Sequence, residues 1–330
     1  MIESKTVRAI CMPLKKSLSQ PSGREMIWAY LLHLSYNMWA DRDVPERREH
    51  YSAKPYLRLD ISMWNDILRK MVDVGMNMVV IDLGDAVKYE SHPEIAVRDA
   101  WTVSRLKDEL SKIREVGLEP IPKLNFSACH DAWLGPYSRC VSTDTYYEVC
   151  RDLISEVIEI FDKPRFFHLG MDEETAQHQR YYSYVVIRQY ELWWHDLYFL
   201  FEQVEKGGSR PWIWSDYLWH HPETFFEKMP KTVLQSNWYY RPKFNKRIKY
   251  VKAYLDLEEH GYDQIPTGSN VRVPENFQKT VTYCRRHIAP ERLLGFLQTS
   301  WRPTLEAFRN QHMQAIELVG KAITRWTQRS

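Results

Sequence analysis

The chain has 330 residues, with 45 Lys+Arg against 43 Asp+Glu, a formal charge of +2 and 44% hydrophobic residues. These are values of an ordinary globular protein, and the near balance of charge argues against a nucleic-acid or other polyanion binder, which carries a large basic excess. The longest apolar run near the N-terminus, Met26–Leu32, falls short of the ~20 residues that cross a bilayer, and residues 1–16 hold no signal-like apolar stretch. The expectation is a chain that does not enter membranes and stays in the cytoplasm.

Residues 1–25 read as an N-terminal extension. From residue 26 onward, short apolar stretches alternate with helix-period stretches. Tyr30–Ser35 reads as the first strand. Trp64, Ile67, Leu68, Met71 and Val72 share one helical face, and Gly75 follows where a C-terminal glycine belongs. Met78–Ile81 is the second strand. Leu106, Leu110 and Ile113 repeat the pattern, with Gly117 and then a strand at Leu118–Leu124. Thr145 and Glu148 have the spacing of a capping box for the next helix. Strands follow at Phe166–Gly170, Trp212–Trp214, Val233–Asn237, Gln264–Thr267 and Leu293–Gln298, separated by helices near 183–205, 245–259 and after Pro274. Eight strands alternating with helices point to a (β/α)8 TIM barrel as a single domain over 26–330. An open doubly wound sheet is the alternative, but no glycine-rich phosphate loop follows the first strand.

Chemistry in such a barrel sits at the C-terminal ends of the strands. The densest polar cluster there is His168-Leu169-Gly170-Met171-Asp172-Glu173-Glu174. A run of acids often marks a solvated helix start; at the end of an apolar barrel strand it marks a candidate site. The five cysteines include no CxxC pair, and the neighbouring His220 and His221 lack a spaced partner, so neither a metal nor a cofactor is called. The 13 Trp, 20 Tyr and 12 Phe can fill a core or stack on sugar rings.

The cluster resembles the His-x-Gly-Gly-Asp-Glu motif of family 20 glycoside hydrolases, the β-N-acetylhexosaminidases. The likeness runs from about Asn77 to Trp301. Asn77–Asp85 is similar to the family's second strand, GLEPIPKLNFSACH (Gly117–His130) to its third, and WIWSD (Trp212–Asp216) to its fifth. Trp238-Tyr239 resembles a Trp-Tyr pair, and GFLQTSW (Gly295–Trp301) the last strand. The resemblance implies cleavage of a terminal β-linked 2-acetamido sugar by substrate assistance. The acetamido oxygen attacks the anomeric carbon and an oxazolinium forms. Asp172 would hold the acetamido N–H, and Glu173 would protonate the leaving oxygen and then activate water. Tyr239 would donate to the acetamido oxygen. Trp214, Trp238 and Trp301 would wall the pocket, and Asp216 would face it. His130 and Asp85 would pair to orient Glu173, with His168 in a supporting role. Glu174 reads as a helix-start acid. Met171 stands where the motif has its second glycine.

The departures lie in sugar holding. The family's first-strand arginine is missing from Leu32-His33-Leu34-Ser35-Tyr36-Asn37. Acids of the pattern become Lys123, Asn125, Arg241 and Pro303. Asp41, Asp82, Arg241 and Asn270 are candidates for a replacement shell. The implied partner is a carbohydrate, an oligosaccharide or glycoconjugate. The alternatives are a glycosidase for another sugar using both acids as conventional carboxylates, a carbohydrate-binding barrel without turnover, and a metal-dependent sugar isomerase.

Overall fold

The computed structural model describes residues 25–47 and 49–328, so the extension assigned to 1–25 lies almost wholly outside the described residues. Eight parallel strands form one sheet: β1 (Ile27–His33), β2 (Met78–Asp82), β3 (Glu119–Lys123), β4 (Phe166–His168), β5 (Arg210–Trp214), β6 (Leu234–Ser236), β7 (Thr267–Ser269) and β8 (Gly295–Thr299). The hydrogen-bonded order runs β6-β5-β4-β3-β2-β1-β8-β7. Bridges Gln235↔Gln264 and Trp238↔Thr267 join the two ends, so the sheet closes on itself. Helices α1 (Ile61–Asp73), α2 (Val103–Glu115), α3 (Asp144–Ile160), α4 (Glu191–Lys206), α5 (Pro222–Lys228), α6 (Lys249–Glu259), α7 (Asn276–His287) and α8 (Arg309–Thr327) follow the strands in turn. This is the (β/α)8 barrel expected from the alternation. No helix among the described residues is long and apolar enough to cross a membrane.

The junctions explain why the strands were legible. Gly75 (φ 85°) and Gly117 (φ 86°) each follow a helix in the left-handed region. Met76 N donates to Met71 O and Leu118 N to Ile113 O, which ends both helices in the same wrapped turn and aims the chain at a strand. Two expected helix boundaries move. The cap of α3 is Thr143, whose hydroxyl accepts from Tyr146 N, two residues before the Thr145–Glu148 pair. The helix expected near 183–205 begins only at Glu191, because residues 172–190 are committed to loop contacts.

Side-chain alternation builds the interior in layers. Ile27, Ala29 and Leu31 of β1, Met78 and Val80 of β2, and Ile121 of β3 fill the barrel with Phe166, Trp212, Leu234 and Leu297. Tyr30, Leu32, Val79 and Ile81 point the other way, into the helix-facing core. Continuing the same period upward puts His33, Asp82, Lys123 and His168 on the inner face, all buried. Lys123 Nζ donates to Asp82 Oδ2 at 2.6 Å, and His33 Nδ1 lies 3.4 Å from the same oxygen. A charged plug thus lies directly under the face formed by the C-terminal ends of the strands.

Candidate active site

Of the three consecutive acids, Asp172 and Glu173 share one histidine nitrogen and Glu174 takes a partner of its own. Asp172 is buried; its Oδ1 accepts from Asn125 Nδ2 at 2.8 Å, and its Oδ2 lies 3.3 Å from His130 Nε2. Glu173 is part-exposed, with His130 Nε2 at 3.4 Å from one oxygen and His178 Nε2 at 3.5 Å from the other. Glu174 turns away and is clasped by Arg188, whose Nε and Nη2 reach its two oxygens at 2.8 and 2.7 Å. Glu174 is therefore not a helix-start acid: no helix begins there, and it is a buried anchor for segment 172–190.

The backbone that presents them is tightly constrained. Gly170 (φ 70°), Met171 (φ 71°) and Glu173 (φ 53°) all lie in the left-handed region. A Cβ on Gly170 would come within 2.0 Å of Asn125 Oδ1, the oxygen that accepts from Met171 N and Ser127 N. Asn125, where the family pattern has an acid, thereby ties the turn to Asp172. Asp216 Oδ2 accepts from Glu173 N at 2.8 Å and holds the Glu173 backbone in its unusual conformation.

Burial and mutual charge set the electrostatics. Burial pulls the His130 imidazole down, but the Asp172 and Glu173 carboxylates raise it to about 10, so it is a cation at neutral pH. Burial opposes ionisation of Asp172, yet His130, Lys123 and the Asn125 amide hold its carboxyl well below the usual range. Asp216 moves the other way: burial, then the nearby Asp172 charge, push it well above the ordinary value. Its second oxygen, Oδ1, is buried without a hydrogen-bond partner. His130, Asp172 and Glu173 offer ligand atoms within 4.8 Å of one another, a spacing that would also admit a divalent cation.

One expected contact is corrected. Asp85 does not pair with His130; it accepts from Ser35 Oγ and, at 2.8 Å, from Asn37 Nδ2, and burial pushes it up to about 6. It braces the loop after β1 instead. Tyr239 packs its ring against Phe244 and Tyr250, at 5.4 and 6.2 Å between centroids. The next residue, Tyr240, has a buried hydroxyl near Asp172, Glu173 and Asp216, with the Trp301 indole its nearest hydrogen-bonding neighbour and no well-formed hydrogen bond. Beyond the strand end, one position along the chain reverses the side on which a residue projects.

The other expected residues gather as walls and supports. Trp214 lies 6.0 Å from Trp301 and 4.4 Å from His168 between ring centroids. His168 Nδ1 accepts from Gly170 N at 3.0 Å, and burial, then the Lys123 charge, hold the imidazole neutral. Trp238 stacks on Tyr240 at 5.1 Å. Trp39, not singled out from the sequence, sits 6.5 Å from both Trp301 and His130. Only its place after the first strand hinted at a role. Of the replacement shell, Asp82 is taken by Lys123, Asp41 accepts from Ser183 N, and Asn270 Nδ2 donates to Gln311 O. Arg241 alone reaches the cleft. Cys129 exchanges hydrogen bonds with the Thr175 backbone.

From Glu173 and Asp216 a cleft of about 850 Å³ opens outward past Trp219, Trp238 and Tyr250, a size usual for ligand sites. Similar architectures are known. An exo-β-N-acetylglucosaminidase of glycoside hydrolase family 20 from Vibrio harveyi matches with a TM-score of 0.58 and 13% identity, over 89% of this chain and 54% of that one. Dispersin B matches with a TM-score of 0.56 and 14% identity, over 80% and 95%. An N-acetyl-β-hexosaminidase from Streptomyces plicatus matches with a TM-score of 0.55 and 12% identity, over 88% and 63%. The chain shares their barrel. It spans little more than half the length of the Vibrio enzyme. No protein-family model and no curated protein matches it by sequence.

Proposed function

We propose that the protein is a glycoside hydrolase that cleaves a terminal β-linked 2-acetamido sugar with retention, the acetamido group serving as nucleophile. The observation that carries this reading is the divergence of Asp172 and Glu173 around one protonated His130, near the buried Tyr240 hydroxyl. Two adjacent acids suit substrate assistance better than the usual pair of carboxyls facing each other across a bond at ~5 Å. The similar barrels of hexosaminidases support it.

In this reading the ionised Asp172 accepts the acetamido N–H and offsets the charge that develops on the ring. Tyr240 donates to the acetamido oxygen, in the role expected of Tyr239. That oxygen attacks the anomeric carbon, the C–O bond to the leaving group breaks, and a proton from the His130 imidazolium passes through Glu173 to the leaving oxygen. Glu173, again a carboxylate, takes a proton from water as the water opens the oxazolinium and returns it to His130. His130 holds both acids in register, Asp216 positions the Glu173 backbone, and Trp214 and Trp301 enclose the sugar.

The test is release of a fluorogenic aglycone from aryl β-glycosides of N-acetylglucosamine, N-acetylgalactosamine and their 2-hydroxy counterparts. Turnover confined to the acetamido sugars, and lost in Glu173→Gln, is expected. Turnover of the 2-hydroxy sugars would overturn substrate assistance. Activity that disappears with chelator and returns with a divalent ion would favour a metal held by His130, Asp172 and Glu173.

A further inference from the structure

A net charge of +2 hides a strongly uneven distribution. Residues 241–252, between β6 and the first turns of α6, contain Arg241, Lys243, Lys246, Arg247, Lys249 and Lys252 and no acid. The first five are exposed. Lys252 pairs with Asp256, but among the described residues no carboxylate comes within ion-pair distance of the other five. The same holds for Arg272, which reaches the cleft from the loop after β7.

The location makes this costly unless something anionic is received. Helix starts favour acids because the N-terminal N–H groups carry positive charge. α6 has none in its first turn, no side-chain cap at Ile248, and cations on both sides of its start. Lys249 Nζ even lies 3.2 Å from His220 Nδ1, and burial together with Lys249 lowers that imidazole. Of the acids that line the cleft, Glu174 is answered by Arg188 and Glu173 by His130 and His178, while burial disfavours the charge on Asp216.

Beside these cations stands an aromatic floor. Trp219 meets Trp238 and Tyr250 edge to face, at 4.5 and 4.6 Å between centroids, and Trp238 stacks on Tyr240, so single ring faces rather than one plane are offered to a ligand. Flat apolar rings flanked by guanidinium groups match a sugar that offers C–H faces and carries a negative group at its edge. Resting on the function proposed above, we infer that the cleft beyond Glu173 receives an acidic glycan, one whose sugar next to the cleaved residue bears a carboxylate or a sulfate. Arg241 and Arg272 contact that group, and the Lys243–Lys249 stretch attracts the rest of the chain.

The test separates this from the hydrolase reading. Binding to Glu173→Gln is followed by tryptophan fluorescence with three oligosaccharides of equal length: neutral N-acetylglucosamine polymer, one alternating with hexuronate, and one sulfated. The expected result is binding of at least one acidic oligosaccharide about tenfold or more tighter than the neutral one, with the gap closing at about 0.5 M salt. Which acidic arm is favoured identifies carboxylate or sulfate. Arg241→Ala should remove most of the gap. Combined Lys243→Ser, Lys246→Ser and Arg247→Ser should narrow it while leaving turnover of the neutral aryl glycosides unchanged. Equal affinity for neutral and acidic chains overturns the inference, as does tighter binding of a single-stranded oligonucleotide than of any glycan. A preference for acidic chains without turnover of any glycoside would sink the hydrolase reading and leave the acidic-glycan site standing.

Discussion

The two halves of the barrel mouth use polar residues in opposite ways. Around the ends of β1–β3 most polar groups are paired with one another: Lys123 with Asp82, Asp85 with Ser35 and Asn37, and Asn37 with Arg58, the His33 ring nitrogens and His130 Nδ1 being exceptions. Around the ends of β4–β6 and β8, Asp216 Oδ1 and the Trp214 indole nitrogen stay open, and the buried Tyr240 hydroxyl has only the Trp301 indole beside it. Buried polar groups normally find partners, because each one left without costs about 1–3 kcal/mol. A closed network therefore marks scaffold, and a cluster of open ones marks a place kept ready for a ligand. Family resemblance assigned Asp85 to the chemistry; its filled hydrogen bonds assign it to the loop.

Substitutions should divide along the same line. The largest expected effect is on the closed side. Lys123→Met leaves Asp82 buried without its cation and should lower stability by about 3–5 kcal/mol, read from denaturant midpoints. A variant that keeps wild-type stability would show that the plug is not what holds this half together. Next comes a pair on the open side. Tyr240→Phe should reduce turnover of the acetamido substrate by about 10²–10³-fold, the range for loss of one donor to a developing charge. Tyr239→Phe should stay within about threefold, and the reverse order would return the role to Tyr239.

A smaller effect is expected in the pH dependence of stability. The His130 pKa is raised in the folded chain, so the native state holds an extra proton between roughly pH 6.5 and about 10. That contribution is complete below pH ~6.5 and fades as pH rises through about 10. His130→Asn should flatten this decline; parallel curves for the two proteins would contradict the ion cluster. The smallest effect is assigned to Asp216→Asn. Burial, then the Asp172 charge, disfavours ionisation of Asp216, and an amide oxygen can still accept from Glu173 N. Turnover should change less than about threefold, and the variant should gain relative stability as pH rises, because the raised carboxyl no longer has to ionise. A loss of several hundredfold would instead give Asp216 a direct part in the reaction.

Much of this architecture was legible in the chain. The strands announced themselves through apolar runs behind Gly75 and Gly117, and the acids ended one of those strands. What escaped were features fixed by residues far along the chain or off any period. The partner of Glu174 is Arg188, in a segment whose apolar spacing resembles helix but whose backbone runs free until Glu191. Nothing in Trp238-Tyr239-Tyr240 says which tyrosine turns inward, since the strand that would set the alternation ends at Ser236. β7 was weak because Gln264, Ile265 and Pro266 leave little for periodicity to grip, and its ordered part lies further on, at Thr267–Ser269. The basic stretch at 241–252 was visible as letters, but only the fold brings it beside Arg272 and the aromatic floor.

The clasp of Glu174 by Arg188 has a consequence for the order in which the protein comes apart. Segment 172–190 carries Asp172 and Glu173 at its start and has no ladder of its own. It is also held by Tyr182, whose hydroxyl donates to Met38 O across 144 residues, and by Ser183, whose N–H donates to Asp41 across 142. A segment held by a few such side-chain contacts opens more readily than paired strands. The arrangement around Asp172 and Glu173 should therefore come apart while the barrel stays closed: mild denaturant should silence the site, and expose this segment to proteases, while the eight strands still exchange their amide hydrogens slowly.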